Sequence, residues 1–524
     1  MHDLLAPETS PFEHPEKVEV RETHISLVFL TDEHAFKLKK NVCFGFLDFS
    51  TLEKRHAACQ AELGLNQALA PDVYLGVLPL YRATDGRLSF TPRPGSALID
   101  WLVQMRRLPD ESRADQILGR SELYPALVEK LARRIAQFHS SASVSESISR
   151  FGEAPTLFTN LNENFEQTRE SLPQAIGARD AAELEAWQRD FLTCAAGRFT
   201  RRVSGGKIRD GHGDLRLEQI YFINDEILLL DRIEFNERFR YGDVCADLAF
   251  LSMDLRFHGN PELAEYLLSV YARETGDYDL YGLIGYYESY RAFVRGKVAA
   301  FRAGENALLE AKHYFKLALM LSRQQLITSG PHQVIAIGGI IASGKSTLAE
   351  DLSEATGIPV VNTDRVRKES QGVPASRSLR EEAWTGAYSP TVTRRVYQEV
   401  FREAAVILDS GRSVIIDASF RTQLNRLEAR RLARQRGLPF RFIECSVSTD
   451  ECRRRLVERN KGLHDSDARA DLLETFLKNY EPVTELPQHE YIKVSTGYSR
   501  QDSLLRSLQE INYQAIRKVS FRTG

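Results

Sequence analysis

Residues Val334–Leu348 read VIAIGGIIASGKSTL, a strand, a loop and the opening of a helix in succession. Val334, Ile335 and Ile337 form a short apolar run of the kind that makes a buried strand. The loop Gly339-Ile340-Ile341-Ala342-Ser343-Gly344-Lys345-Ser346 follows, and a helical pattern opens at Thr347. This is G-x-x-x-x-G-K-S in the strand–loop–helix context that gives the motif its meaning. Glycine lets the loop curl until successive backbone N–H groups point inward at phosphate oxygens. The start of the helix adds its partial positive charge at the same point. Gly339, Ser343, Gly344, Lys345, Ser346 and Thr347 are therefore the expected triphosphate cradle. Lys345 is expected to reach the β- and γ-phosphates and the Ser346 hydroxyl to ligate Mg²⁺.

Downstream, apolar strands alternate with helices: PVVNT (359–363), SVIID (413–417), FRFIECS (440–446) and EYIKVS (490–495). One intervening helix is entered through Ser389-Pro390 and stopped by Gly411, and another is stopped by Gly437. Such alternation predicts an α/β domain over 332–524, with a parallel sheet covered on both faces. Ligands of such sheets sit at the carboxyl ends of the strands. Asp364 with Arg367 follows the second strand, and Asp417 with Arg421 follows the third. Arg455 and Arg459 lie one turn apart on the helix after the fourth, ahead of the polar segment KGLHDSDAR, read as a lid. A P-loop kinase needs an acid to orient magnesium or take the acceptor proton, and arginines to close over the transferring phosphoryl group.

Upstream, Thr328-Ser329-Gly330-Pro331 reads as a linker, and residues 1–327 as a separate α+β domain. HISLVFL and AFKLK form a predicted hairpin, and a helix follows whose capping box begins at Ser50. VYLGVLPL supplies another strand. These elements outline a small lobe over about 1–105, and a helical large lobe covers about 106–327. Lys37 at the end of a strand and Glu62 on the following helix are spaced as a kinase-type pair, in which the glutamate fixes a lysine against the α- and β-phosphates. LVEKLARRIAQFH (127–139) is an amphipathic helix with His139 on its core side. Arg291, Arg295 and Lys297 belong to a further helix and read as a salt-bridged outer face or, if that face points into the cleft, as one suited to an anionic substrate.

The 524 residues exceed what one core accommodates, so two or three domains are expected. A net charge of −3 gives no general attraction to nucleic acid or anionic membrane. No basic n-region with an apolar h-region opens the chain, and no apolar run is long enough to span a bilayer. The six scattered cysteines contain no C-x-x-C pair, which favours a reduced, cytoplasmic protein without disulfides or a zinc site.

IRDGHGDLRLEQIYFINDEILLLDRIEF (208–235) holds His212-Gly213-Asp214, a strand, a turn at Asn224-Asp225 and a second strand ending at Asp231. With Tyr241-Gly242-Asp243 and Asp247-Leu248-Ala249, it resembles the aminoglycoside phosphotransferase family and its choline-kinase-like relatives. The resemblance implies a protein-kinase-like domain in which Asp214 is the catalytic base and Asp231 holds Mg²⁺. Position 219 carries Gln219 where that family has a metal-binding asparagine; the amide oxygen is kept on a longer arm. Arg216 and Glu218 also depart from the family's loop.

TDRVRK, VIIDASF and RRRLVER resemble the zeta-toxin and polynucleotide-kinase-like branch of P-loop kinases. By that resemblance Asp364 activates the acceptor, Arg367 contacts it, Asp417 is the magnesium-orienting aspartate and Arg455 and Arg459 close the lid. The order of the halves is similar to a bacterial family of bifunctional aminoglycoside phosphotransferase/ATP-binding proteins. The combined expectation is an ATP- and Mg²⁺-dependent phosphotransferase acting on a small hydroxyl-bearing metabolite. One alternative is a nucleotide-dependent regulatory protein with a pseudokinase-like first half. Another, a 5′-hydroxyl polynucleotide kinase, is disfavoured because the chain lacks a basic balance with interleaved aromatics. ATP and GTP are not distinguished by these motifs.

Overall fold

The computed structural model describes residues 2–12, 14–45, 47–302, 304–324, 330–373, 386–459 and 473–512. The chain divides into two compact units. The first comprises Met1–Leu123, Ser141–Leu157 and Phe199–Leu251; the second takes Tyr124–Ser140, Phe158–Arg198 and Ser252 onward. These units alternate along the chain instead of meeting once near residue 330. Thr328 and Ser329 of the predicted linker and the whole lid segment 461–469 lie outside the described residues.

In the first unit an antiparallel sheet has the order Glu19–Glu22, Ser26–Leu30, His34–Lys39, Ala97–Arg106, Tyr74–Arg82 and Leu88–Ser89. The two-residue side-chain period of a strand explains its two faces. Phe36 and Leu38 point to the side packed with Phe29 and Leu102. Lys37 and Lys39 take the opposite side, toward the helix Leu52–Gln67. That helix is capped by Thr51, whose side chain accepts from Lys54 N, and not by Ser50 as the capping-box reading expected. Ser50 is instead held by the carboxylate of Asp48, which leaves the next hydroxyl to cap.

The predicted hairpin after the His-Gly-Asp loop pairs Ile220–Ile223 with Glu226–Leu229. Asn224 and Asp225 both adopt positive φ, 48° and 66°, as a two-residue turn of the primed kind requires.

In the second unit a five-stranded parallel sheet has the order Val360–Asn362, Val414–Asp417, Val334–Gly338, Phe440–Ser446 and Tyr491–Ser495. The P-loop strand is central and every one of its residues is buried. The following helix begins at Lys345, two residues before the predicted start, because Gly344 itself takes the left-handed conformation that caps it.

Helices from the chain before residue 323 belong to this same unit. His139 is buried with Nδ1 2.8 Å from the Tyr271 hydroxyl, as its core-side position predicted. Arg295 lies over the Tyr314 ring, 3.7 Å from Glu310. On the helix Pro261–Thr275, Glu265 accepts two bonds from Arg412, at 2.7 and 3.0 Å, and one from Arg256. Ser269 meets Ser353 at 2.9 Å, and the Tyr278 hydroxyl donates to Val360 O at 2.7 Å. Gly357, with φ of 73°, ends the P-loop helix against this surface; a β-carbon there would stand 2.8 Å from that of Glu265. Among the described residues no helix is long and apolar enough to cross a membrane.

Candidate active site

The loop after Val334–Gly338 is shaped by backbone conformations that only glycine adopts without strain. Gly339 has φ of 139°, and a β-carbon there would lie 2.5 Å from Cys445 O and 2.8 Å from Ser343 Oγ. Gly344, φ 85°, has Thr496 less tightly placed, its Cβ 3.2 Å from where a side chain would begin. Ser343 Oγ is buried without a hydrogen-bond partner inside the loop. Lys345 folds back, its Nζ donating to Ile340 O at 2.9 Å. A loop of this shape, with an orphaned hydroxyl and a lysine resting on its own carbonyl, fits a polyanion that would supply the missing acceptors.

Parallel register brings the predicted acid to the loop. Asp417 ends the strand adjacent to the P-loop strand, opposite Ile337. It is 2% exposed. Burial raises its pKa, while Lys345 and the Ser346 hydroxyl pull the other way. A buried carboxylate beside a hydroxyl offers the oxygen ligands that a hard divalent cation takes. Asn362, a residue the sequence reading passed over, orders the neighbourhood. Its Oδ1 accepts from Asp364 N and Arg365 N, capping the helix Thr363–Ser370, while its Nδ2 donates to Asp417 Oδ2 at 2.5 Å. An asparagine directly before an acidic helical first turn is a readable cap signal.

Asp364 and Arg367 are paired, Nη1 to Oδ1 at 2.7 Å. Arg455 reaches the loop: Nη2 donates to Thr496 O at 2.6 Å and Nη1 lies 3.4 Å from Ala342 O. Arg421 donates to Asn479 O at 3.2 Å. Phe420, just before it, holds φ of 43°, a genuine strain for a bulky residue. The Tyr397 hydroxyl accepts from Phe420 N at 3.1 Å, and buried Arg426 donates to Phe420 O at 2.9 Å; these bonds hold the strained turn in place. The side chain of Arg459 lies outside the described residues. A cavity of about 410 Å³ opens beside the loop, lined by Gly344, Thr347, Asp351, Arg455, Thr496 and Tyr498 among others. That volume lies in the ordinary range of small-molecule sites, roughly 300–1,000 Å³.

The first unit gathers its own cluster. Lys37 Nζ donates to Glu62 Oε1 at 2.8 Å and to Asp231 Oδ1 at 2.5 Å. Burial opposes the charge on Lys37, but Asp231 and Glu62 outweigh it and hold its pKa well above the ordinary lysine value. Lys39, two residues along the same face, bonds Glu62 Oε2 at 2.7 Å and also Glu234. Sequence reasoning missed this second pair; the shared strand face of positions 37 and 39 was the available signal. Burial, then repulsion from Glu62, raises the pKa of Glu234 against the pull of Lys39.

Asp247 shapes the His-Gly-Asp loop by accepting from His212 N at 2.5 Å and Gly213 N at 2.8 Å. His212 is fully buried, and burial lowers its pKa, which favours the neutral ring. Asp214 is clamped: Arg216 donates Nε to Oδ1 at 2.9 Å and Nη2 to Oδ2 at 3.2 Å, with Nη1 on Glu218 at 2.8 Å. Gln219 O accepts from Leu230 N at 2.8 Å, which places position 219 beside the residue preceding Asp231.

A family model described as an AAA domain matches residues 334–483. Over 458 residues the chain is 32% identical to the uncharacterized protein Rv2004c of Mycobacterium tuberculosis, covering 87% of this chain and 88% of the relative. The uncharacterized protein Mb2027c of Mycobacterium bovis matches with the same identity and coverage. Among solved structures, a choline kinase from Cryptosporidium parvum aligns at 11% identity and TM-score 0.36, over 60% of this chain and 90% of its own. A sugar kinase from Janibacter aligns at 19% identity and TM-score 0.27, over 35% of this chain and 95% of its own.

Proposed function

This chain belongs to the family of the Mycobacterium tuberculosis protein Rv2004c, and from that premise we propose that it is an ATP-dependent phosphotransferase whose P-loop half phosphorylates a hydroxyl group of a small metabolite. One observation carries the reading. Asp417 ends a strand that lies between the P-loop strand and the strand leading into Asp364, and Asn362 bonds both acids, its Nδ2 donating to Asp417 and its Oδ1 accepting from Asp364 N.

In this reading the loop amides and Lys345 hold the triphosphate, and the cavity beside Thr347 takes the nucleoside. Ser346 and Asp417 would hold Mg²⁺, which supplies charge neutralisation between the β- and γ-phosphates. Asp364 accepts the acceptor's hydroxyl proton. The acceptor oxygen forms its bond to the γ-phosphorus as the bond to the β–γ bridging oxygen breaks, and ADP leaves. Arg455, already on the loop, adds positive charge where the leaving group develops negative charge.

The direct test is single-turnover transfer of labelled γ-phosphate across a metabolite panel, with wild type, Lys345→Ala and Asp214→Asn. Lys345→Ala is expected to abolish transfer. If both variants match wild type, the reading is wrong.

The clamp on Asp214 favours a second reading for the first unit, a nucleotide-dependent regulatory module. A carboxylate with both oxygens engaged by one guanidinium is a poor proton acceptor, since the cation stabilises its ionised form. Gln219 points the same way. In a Lys345→Ala background, the double variant Arg216→Ala, Gln219→Asn is then expected to gain transfer at least tenfold. No gain would leave the first unit as an ordinary kinase site or as scaffold.

A further inference from the structure

On the helix Thr363–Ser370, Arg365 is spent on structure, donating to Arg273 O at 3.0 Å and lying 3.8 Å from Glu274. Arg367 is different. Its side chain is 7% exposed, Nη1 bonds Asp364, and Nε is buried with no hydrogen-bond partner. Its guanidinium carbon lies over the Tyr388 ring, 4.5 Å from the centroid. A purely structural ion pair one helical turn apart would leave the guanidinium in water or satisfy its donors. A buried guanidinium with an orphaned donor is destabilising, and an anion bonded to that donor would relieve the cost. The ring attracts the guanidinium without using any of its N–H groups. Nε points away from Nη1, so the orphaned edge is the one Asp364 does not occupy. That edge matches the two oxygens of a carboxylate or phosphate. Asp364 takes only Nη1, through its Oδ1 alone, which leaves the Nε edge to a second anion.

We infer that the acceptor taken by the P-loop half is an anionic alcohol, a hydroxy acid or a phosphorylated polyol, whose oxyanion is gripped by Arg367 while its hydroxyl faces Asp364. This rests on the kinase reading above and narrows it. Two sources could supply the oxyanion: the acceptor, or the transferring γ-phosphoryl group of the nucleotide. The inference commits to the acceptor.

The test uses the full chain. Nucleotide affinity is measured with a fluorescent ATP analogue and Mg²⁺. ADP release is then followed with glycerate and glycerol 3-phosphate as anionic alcohols, glycerol and ribose as neutral ones, and ethanolamine as a cationic one. The anionic alcohols are expected to serve at least tenfold better in kcat/KM. Arg367→Gln is expected to raise the acceptor KM at least tenfold while leaving the nucleotide Kd within twofold. Arg367→Lys, which keeps a charge but not the fork, should recover part of the loss, and melting curves of both variants identify any that fail to fold. Equal or better use of neutral alcohols overturns the inference. So does nucleotide binding with no response to the anionic alcohols, or an Arg367→Gln defect that falls on the nucleotide. Wild-type protein that does not bind nucleotide sinks the kinase reading itself, a separate result.

Discussion

Glu403, on the helix Pro390–Asp409, offers a quantitative test of the structure. Its side chain is 5% exposed, Oε2 has no hydrogen-bond partner, and the nearest guanidinium nitrogen, from Arg402, is 3.9 Å away. Burial, reinforced by Glu369 and Glu399, raises its pKa from 4.5 to about 9. The folded protein therefore keeps a proton that the unfolded chain loses above about pH 4.5. Where the folded state binds the extra proton, stability falls as pH rises, by about 1.4 kcal/mol per pH unit. Between pH 5 and pH 8 the loss is about 4 kcal/mol, a large share of the 5–15 kcal/mol that holds a typical domain together. Glu403→Gln keeps the shape and removes the titration. It is expected to match wild type near pH 4.5 and to exceed it by roughly 3–4 kcal/mol at pH 8. Urea unfolding followed by tryptophan fluorescence at pH 5, 6, 7 and 8 measures both slopes. Parallel slopes for the two proteins would refute the assignment of a buried, protonated carboxyl.

Removing Glu265 strands Arg256 and Arg412, both buried, so Glu265→Ala should destabilise by about 3–5 kcal/mol. The exposed pair of Arg323 with Glu183 serves as the control, and Arg323→Ala should leave the urea midpoint nearly unchanged. Gly339→Ala forces a β-carbon against Cys445 O and should weaken nucleotide binding at least about 100-fold, near 2.7 kcal/mol, in a fluorescence titration. Lys39→Met leaves Glu62 with one cation and Glu234 with none, so the melting temperature should fall sharply.

What was legible in the sequence was local. The P-loop, the buried strands and the Asn224-Asp225 turn declare themselves through period, glycine and turn chemistry within a few residues. Lys37 and Glu62 were readable because a strand followed by a helix fixes which pairs face each other. The clamp of Arg216 on Asp214 spans two residues, yet the sequence does not say whether that guanidinium turns to its neighbour or to solvent. The strained turn at Phe420 was invisible because its support, Tyr397 and Arg426, comes from two other elements. Glu265 and Arg412 lie too far apart in sequence for any spacing rule to join them, so assigning helices 261–275 to the P-loop unit required coordinates.

That last pairing has a bearing on biosynthesis. Glu265 is translated 147 residues before Arg412. At about 5–20 residues per second, its helix is made roughly 7–30 s before Arg412 exists. For that interval a nascent chain carries a docking face built for a partner not yet made. Slowing elongation between these positions should lengthen chaperone occupancy on the ribosome-bound chain, and a separately expressed 332–524 fragment would begin life without its mate.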